Sequence, residues 1–533
     1  MGRRFSPKIV SRVRSTGRDF RKNRLQKNGC VLAGRSITMV LLGDIMRNLF
    51  YAVVLLGCVT TFGAEKPNIV FILADDLGVT DLEAFNANTF YETPRLNRLA
   101  DEGMRFTSAY TACNVCSPTR YSIMTGKYPV RSGITNYLAG TRSERFEPAT
   151  LDLFMPLEEK TLGEAFKEAN YRTAYVGKWH LGDTNRYGPS KQGFDVVSGD
   201  ERFLTPEYGN IVFAAHPPIA QGEPWIEKRT AQITEDALTV LDAFHSMEKK
   251  PFLLYLSYYQ VHVPLGASKK YVEPYRKKKA ELGLQNDPAR DFADEEQAHA
   301  TDEPRKTRIR QNHEVYAGMV SQCDECVGRI LDKLDEHGLR ENTIVVFLSD
   351  NGGLTTAEGS PTSNLPFRAG KGWNYEGGIR TPLIVRWPKV IKPNAVCDVP
   401  VISTDFYPTL LDLADTPAQP QQHLDGVSFA PLLRGETKDL PQRDLFWHYP
   451  HYSNQGGFPS SAIRAGDYKL IQRLEDDRVH LYDLRNDIGE RNDLAEKMPE
   501  KVTELRQRLF TWYKETGARF LEQKDGRIPW RPE

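Results

Sequence analysis

The chain has 533 residues, and its 70 Lys and Arg residues balance its 70 Asp and Glu residues. Eleven of the basic residues lie within residues 1–45, which leaves a net charge of −9 from Met46 onward. The body of the chain therefore lacks the basic character of nucleic-acid-binding proteins, and its length predicts one large domain with a smaller partner.

The N-terminal part of the chain reads as a leader. Residues 1–45 show no amphipathic period, and we interpret Met46 as the true start; a basic tail that binds nucleic acid or anionic lipid is the alternative. Residues 46–64 have a charged start, an apolar run of about eleven residues and a small-residue end, as export signals do. We expect a periplasmic or extracellular protein, either cleaved after Ala64 or anchored by a lipid on Cys58.

Four short apolar runs predict the strands of a sheet. Each is rich in β-branched or aromatic residues and is followed at once by polar or glycine residues; the runs are Asn68 to Ala74, Arg172 to Val176, Phe252 to Ser257 and Thr343 to Ser349. Patterns with helical spacing lie between them. Strands that alternate with helices indicate an α/β fold, with a large, mostly parallel sheet sandwiched by helices. Ligands of such sheets bind beyond the carboxyl ends of the strands, so the loops that follow these four runs should form one crevice.

The pattern changes after about residue 440. Short alternating runs predict antiparallel strands joined by turns, and Lys501 to Tyr513 predicts a closing helix. We therefore expect a catalytic α/β domain at residues 65–440 and a smaller C-terminal α+β subdomain, built on a short antiparallel sheet, at residues 441–533.

Two of the four loops carry oxygen ligands that suit a metal ion. Asp75 and Asp76 follow the first strand, and Asp350 and Asn351 follow the last. Adjacent carboxylates at a strand end repel each other unless a cation lies between them. Four hard oxygen atoms favour Ca²⁺ or Mg²⁺ over zinc, which prefers nitrogen and sulfur.

The segment around Cys116 combines a reactive side chain with helix signals. Pro118 is a favoured first residue of a helix and Gly126 a favoured end, which places Cys116 just ahead of a short helix. The N-terminus of a helix suits an anionic ester group, and Arg120 can hold that anion or the nucleophile. A thiol-based phosphatase needs five residues between Cys and Arg, and neither Cys113 nor Cys116 has an arginine at that spacing.

This segment resembles the signature of the type I, formylglycine-dependent sulfatases of the alkaline-phosphatase-like superfamily. The signature is C-x-P-x-R with Gly six residues after the Arg, and Cys116, Pro118, Arg120 and Gly126 match it completely. The resemblance implies that a formylglycine-generating enzyme oxidises Cys116 to formylglycine, whose hydrate attacks sulfur. It also implies Ca²⁺, in preference to Mg²⁺, at the oxygen ligands Asp75, Asp76, Asp350 and Asn351.

Three further loops complete the resemblance. The loop G-K-W-H-L-G contains Lys178 and His180, the segment V-H-V-P contains His262, and the loop G-K-G-W contains Lys371. By resemblance, the two lysines grip the sulfate oxygens and His262 protonates the leaving alcohol. His180 then removes the proton whose loss releases sulfate.

The resemblance implies hydrolysis of a sulfate monoester to an alcohol and inorganic sulfate. The substrate is expected to be a sulfated sugar or polysaccharide, or an aryl sulfate. Two alternatives remain: a phosphonate or phosphate ester hydrolase of the same superfamily, and a non-catalytic sulfoglycan-binding protein in which Cys116 stays a thiol.

Other motifs have structural interpretations. Cys113 and Cys116 could form a disulfide, and together with the pair Cys323 and Cys326 they have the spacing of a zinc site, but we expect neither. Glu376 and Arg380 resemble residues of the same family, and we interpret them as scaffold that ties the Lys371 loop to the sheet.

Overall fold

The computed structural model of the chain describes residues 65–216, 218–295 and 305–532. Its strands, numbered in chain order, are β1 Asn68–Ala74, β2 Met104–Phe106, β3 Ala109–Tyr110, β4 Arg172–Gly177, β5 Val196–Gly199, β6 Phe203–Leu204, β7 Phe252–Ser257, β8 Phe292–Glu295, β9 Arg305–Arg308, β10 Thr343–Ser349, β11 Leu383–Arg386, β12 Ala395–Cys397, β13 Val401–Ile402, β14 Asp444–Tyr449, β15 Ser460–Ala465, β16 Tyr468–Arg473 and β17 Val479–Asp483. Its α-helices are α1 Pro94–Asp101, α2 Cys116–Thr125, α3 Leu162–Glu168, α4 Thr184–Tyr187, α5 Trp225–Ser246, α6 Lys269–Glu281, α7 Pro288–Asp291, α8 Glu314–Glu336, α9 Glu376–Ile379, α10 Phe406–Leu413, α11 Ala430–Arg434 and α12 Pro499–Thr516.

Nine of these strands form one sheet in the order β12-β2-β11-β10-β1-β7-β4-β5-β6. The four strands expected from the sequence lie side by side at its centre, and β10, β1, β7, β4 and β5 are mutually parallel. Antiparallel pairing occurs outside this block, between β10 and β11 and between β5 and β6. The predicted fold class, a large and mostly parallel sheet flanked by helices, is confirmed.

The central strands are apolar throughout because both faces of the sheet are covered. Along β1, Phe71 faces a core that includes Tyr121 of α2 and Phe406 of α10. Its neighbour Ile72 faces the opposite core, which includes residues of α1, α5 and α8. Successive side chains of a strand point to opposite faces, so an uninterrupted apolar run supplies both cores at once.

The C-terminal region contains the expected antiparallel sheet, in the order β14-β15-β16-β17. The helix α12 packs on β15 and β16, and this region has its own apolar core that includes Trp447, Leu470 and Leu505. The strand β14 is not predicted from the sequence. Glu65–Glu533 form one compact unit, and the boundary near residue 440 stays a prediction.

Several expectations concern residues that the structure does not describe. The leader at residues 1–45, the export signal at residues 46–64 and the lipid on Cys58 lie outside the described residues. Across the part that is described, no helix combines the length and the hydropathy needed to cross a membrane.

Candidate active site

The loops that follow β1, β4, β7 and β10 meet at the carboxyl edge of the sheet. The backbone N–H of Asp75 donates to the carbonyl of Gln260 (2.7 Å), and that of Asp350 donates to the carbonyl of Ala74 (3.1 Å). The loop after β4 is bonded in the same way to the end of β7. The crevice expected from the sequence is present, and it brings together all ten candidate site residues.

Arg120 lies at the centre of the buried acidic cluster. Its Nη2 donates to Oδ2 of Asp75 (3.0 Å) and to Oδ2 of Asp350 (2.7 Å), and its Nε donates to the same oxygen of Asp350 (3.0 Å). Its Nη1 donates to Oγ of Ser257 (2.6 Å) and to the carbonyl of Lys178 (3.1 Å). A guanidinium has five N–H donors, and protein oxygens accept from all of its nitrogens here. These contacts favour a positioning role for Arg120 over direct contact with an anionic ligand.

The four expected metal ligands are buried and share one corner of the crevice. Nδ2 of Asn351 donates to Oδ1 of Asp76 (2.8 Å), and the backbone N–H of Asp76 donates to Oδ1 of Asp350 (3.2 Å). Oδ1 of Asp75 and Oδ1 of Asn351 are buried and accept no hydrogen bond within the described part of the chain. Buried oxygen atoms without donors are uncommon in proteins, and a hard cation such as Ca²⁺ fits them.

The electrostatics of this corner also favour a cation. Burial raises the pKa of Asp350, and the negative charge of Asp75 adds to that rise. Burial acts in the same direction on Asp75, but the positive charges of Lys178 and Arg120 outweigh it and hold the pKa of Asp75 well below its usual range. A bound cation would allow both carboxylates to stay ionised.

Asp76 has an unusual backbone that helps to build this corner. Its φ is 62°, in the left-handed region that non-glycine residues rarely adopt. The turn directs the side chains of two consecutive residues, Asp75 and Asp76, into the same pocket. An atom of each, together with a ring nitrogen of His262, lies within 4.8 Å of the others. Such strain in a buried loop is typical of functional sites.

Cys116 is the first residue of α2 and is buried at the bottom of the crevice. The helix therefore begins two residues earlier than Pro118, which lies in its first turn, where a missing N–H costs nothing. The helix ends at Gly126 in the left-handed conformation, with a φ of 69°, as the sequence predicts. Burial raises the pKa of the Cys116 thiol to about 11, although Lys178 and Lys371 lower it.

Two histidines face the same pocket. Nδ1 of His180 lies 3.3 Å from Sγ of Cys116. Nδ1 of His262 donates to the carbonyl of Val263 (2.7 Å), which leaves Nε2 toward Oδ2 of Asp76 at 3.7 Å. Burial is the main cause that lowers the pKa of both rings, and the positive charge of Lys178 lowers that of His180 further, as the charge of Lys371 does for His262. Both shifts favour the neutral imidazole.

The two lysines are held by the acidic cluster. Nζ of Lys178 donates to Oδ2 of Asp75, and Nζ of Lys371 donates to Oδ2 of Asp76 (2.8 Å). These ion pairs outweigh burial and raise the pKa of each lysine, so both ammonium groups are charged. A cation on the carboxylates would compete for the same oxygens and leave the ammonium groups to bind an anion.

Asn364 shapes the loop that carries Lys371, and it is not among the residues predicted from the sequence. Nδ2 of Asn364 lies within hydrogen-bonding distance of the carbonyls of Gly353 (2.9 Å), Ala369 (3.0 Å) and Gly377 (3.1 Å). It therefore ties the loop that carries Lys371 to the loop after β10. No motif around Asn364 signals this role, because its partners lie 5, 11 and 13 residues away, with no regular spacing.

The structure also bears on the alternative motifs. The five cysteines beyond residue 64 are free, so Cys113 and Cys116 form no disulfide. Among the described residues, the only cluster of three or more His, Cys, Asp or Glu residues that could hold a metal ion is Asp75, Asp76 and His262, and it contains no cysteine.

Glu376 has the scaffold contacts expected of it. It accepts hydrogen bonds from Nε of Arg380 (2.8 Å), from the hydroxyl of Tyr110 (2.7 Å) and from Nζ of Lys469 (3.0 Å) on β16. These contacts join the start of α9, a few residues after Lys371, to the C-terminal sheet.

The chain matches two protein-family models. The model described as Sulfatase matches residues 67–416, and the model described as N-sulphoglucosamine sulphohydrolase, C-terminal, matches residues 369–515.

Curated proteins and solved structures give the same picture. A sulfatase of Formosa agariphila is 32% identical over 507 residues, which cover 82% of this chain and 86% of the relative. The N-acetylgalactosamine-6-sulfatase of Mus musculus is 31% identical, with 78% of this chain and 73% of the relative covered. Among solved structures, Ps i-CgsB in complex with k-i-k-neocarrahexaose aligns with a TM-score of 0.64 at 27% identity, over 84% of this chain and 92% of that one.

Proposed function

The chain belongs to the sulfatase family and hydrolyses a sulfate ester, and we propose that its substrate is a sulfated sugar, cleaved through a formylglycine at position 116 beside a calcium ion. The observation that carries the proposal is the pocket around Cys116. Its Sγ lies 3.3 Å from His180, and the two lysines that flank it are paired with the proposed metal ligands.

The state of the Cys116 thiol supports its conversion. Catalytic cysteines act as thiolates and have lowered pKa values. The pKa of Cys116 is raised to about 11, chiefly by burial, so the unmodified side chain is a protonated and weak nucleophile. Oxidation to formylglycine by a formylglycine-generating enzyme supplies a hydrated aldehyde, whose hydroxyl oxygen takes the place of sulfur.

The histidines provide the two proton transfers that the reaction needs. One hydroxyl at position 116 would attack sulfur and lose its proton to the carboxylates beside it, the bond from sulfur to the alcohol oxygen would break, and His262 would give that oxygen a proton. His180 then takes the proton of the second hydroxyl, the carbon–oxygen bond to sulfate breaks, and the aldehyde is regenerated. An anionic substrate would raise the pKa of His262 and favour the protonated ring that the first transfer needs.

The metal ligands and the lysines would bind opposite charges: the ligands would hold the cation, and the lysines would hold the anionic sulfate group. Asp75, Asp76, Asp350 and Asn351 would hold the ion, and their unpartnered buried oxygens fit Ca²⁺ better than Mg²⁺, which demands a stricter octahedron. When bound, the ion would supply positive charge beside position 116. Lys178 and Lys371 would then bind the sulfate oxygens as point charges.

The sugar substrate is supported by the relatives. One is named as an N-acetylgalactosamine-6-sulfatase, and one aligned structure holds a neocarrahexaose. The test is a screen of sulfated mono- and oligosaccharides for released sulfate, with aryl sulfate and aryl phosphonate esters alongside. Faster turnover of the phosphonate ester would favour the phosphorus ester hydrolase. Binding without sulfate release, with an unmodified Cys116 peptide, would favour the sulfoglycan-binding protein.

We also propose that the protein is exported. The apolar run within residues 46–64 and its small-residue end support a cleaved signal, and Cys58 supports a lipid anchor as the alternative. Intact-mass measurement of the protein from its natural host tests both. Retention of residues 1–45 would contradict the proposed start at Met46.

A further inference from the structure

An exposed aromatic side chain lies next to the proposed sulfate pocket. Trp225 is the first residue of α5, and 40% of it is exposed, although most large apolar side chains of this chain are buried. Its indole N–H makes no hydrogen bond with any described residue. An aromatic face and a free donor that both reach solvent suit a ligand with an apolar face and hydroxyl groups.

Tyr259 connects Trp225 to the pocket. The rings of Trp225 and Tyr259 meet edge to face, with centroids 5.1 Å apart. The Tyr259 ring also lies 5.9 Å from Nζ of Lys178, which is proposed to bind a sulfate oxygen. Trp225, Tyr259 and Lys178 are therefore successive neighbours, and we call these three groups the aromatic row.

The row is held in place by the backbone of the catalytic loops. The hydroxyl of Tyr259 donates to Asp200, and the other oxygen of Asp200 accepts from the backbone N–H of Trp179 (2.9 Å), between Lys178 and His180. Gly266, four residues after His262, lies so close to Pro224 that an added Cβ would come within 3.2 Å of its side chain. Tyr259 is thus fixed to the catalytic loops, and the residue before Trp225 packs against the segment that follows His262.

A positive charge borders the row. Arg229 lies one turn along α5 from Trp225, and its Nη2 donates to the carbonyl of Gly199 (2.5 Å). Its charge also acts on the Tyr259 phenol. Arg229 forms no ion pair with a carboxylate within the described ranges. Arg229 therefore offsets the negative charge of Asp200 at this edge of the pocket.

We propose that Trp225 and Tyr259 form a platform for the sugar ring next to the sulfated one, so that the enzyme acts on sulfated oligosaccharides in preference to free monosaccharides. This inference rests on the proposed sugar sulfatase function. With sulfate at Lys178, the sulfated ring lies beside Tyr259 and its neighbour reaches Trp225. The apolar face of a pyranose ring packs on the indole, and the indole N–H donates to a hydroxyl.

The test compares two substrates that share one sulfated ring. The probes are a sulfated monosaccharide that the wild-type protein hydrolyses and the disaccharide that carries the same ring. We expect wild-type kcat/KM to be higher for the disaccharide. Trp225→Ala should lower the disaccharide-to-monosaccharide ratio of kcat/KM by about tenfold, mainly through KM, and Trp225→Phe should recover most of it.

The matched control is Val396→Ala, which also removes an exposed apolar side chain (54% exposed) but lies on β12 at the far edge of the sheet. It should leave both rates and their ratio unchanged. An unchanged ratio in Trp225→Ala, whether both rates fall together or neither falls, would overturn the platform. Failure of the wild-type protein to release sulfate from any sugar would instead overturn the proposed function.

Discussion

Two nitrogen atoms of Arg120 donate to the same oxygen of Asp350, Oδ2, at 3.0 Å from Nε and 2.7 Å from Nη2. Removal of this guanidinium leaves Asp350 and Asp75 as buried acids that have lost their shared partner. We expect Arg120→Ala to lower the free energy of unfolding in calcium-free buffer by about 3–5 kcal/mol. Urea unfolding followed by circular dichroism measures it. Arg120→Lys keeps one charge with fewer donors and should be intermediate, whereas an Arg120→Ala protein as stable as wild type would refute the central position of Arg120.

Calcium should stabilise the folded protein through the same carboxylates. A ligand that binds only the folded state raises its stability by mass action, so added Ca²⁺ should raise the Tm of wild type after treatment with a chelator. Asp350→Ala should remove this response and abolish turnover. Asp425→Ala is the control, because Asp425 pairs with Arg131 instead of the cluster and its loss should leave the response to Ca²⁺ intact. A chelated protein that works at full rate would contradict the metal site.

The buried lysine of the C-terminal sheet offers a test of the scaffold. Nζ of Lys469 lies 3.0 Å from Glu376 and 2.8 Å from Glu490, and all three side chains are fully buried. Lys469→Met leaves Glu490 without its cation and Glu376 with Arg380 alone, and we expect it to cost about 3–5 kcal/mol in the free energy of unfolding. The double change Lys469→Met with Glu490→Gln removes one stranded charge and should be less destabilised than the single variant. If Lys469→Met and wild type unfold at the same urea concentration, the ion pairs of Lys469 do not stabilise the scaffold.

Asp324 should make stability depend on pH. Burial raises its pKa to about 7 in the folded protein, although it accepts hydrogen bonds from the backbone N–H groups of Arg95 (3.1 Å) and Leu96 (2.7 Å) at the start of α1. The ordinary pKa is 3.8, so between these values the folded state binds more protons than the unfolded state. This contribution to stability is present at low pH and is lost as the pH rises through about 7.

Asp324→Asn keeps an oxygen for α1 but cannot ionise. Relative to wild type, its free energy of unfolding should therefore rise with pH between about 4 and 7, by about 1 kcal/mol per pH unit, and level off above that range. Urea titrations of both proteins at pH 5, 6, 7 and 8 follow the difference. A difference that is flat or falls with pH would contradict the raised pKa.

The sequence predicts the centre of the fold better than its edges. The strands β1, β4, β7 and β10 are apolar on both faces, and only a covered parallel sheet needs such runs. The strands β2 and β12 have three residues each, so no alternation can develop in them. The strand β14 was missed although its buried Leu445 and Trp447 alternate with more exposed residues.

The same contrast holds for the site. Eight of the ten candidate residues follow strand ends or lie in glycine-rich loops, and such positions are recognisable in the sequence. The other two, Cys116 and Arg120, lie in α2, whose ends are marked by Pro118 and Gly126. Asn364 bonds carbonyl groups 5, 11 and 13 residues away, and Trp225 meets Tyr259 across two different elements, so no regular spacing marks these residues. The five hydrogen bonds that Arg120 donates could not be predicted either, because the sequence suggests only that an arginine lies near the anion.

The most direct test of the account is the rate of sulfate release from a sulfated sugar by wild type and by Cys116→Ala, both produced in a host that has a formylglycine-generating enzyme. We predict release by wild type and a fall of at least about a thousandfold in Cys116→Ala, since removal of a nucleophile costs orders of magnitude in kcat. The circular dichroism spectrum and the response to Ca²⁺ should show that the variant is folded. A folded Cys116→Ala protein that releases sulfate at close to the wild-type rate would contradict the assignment of position 116 as the nucleophile.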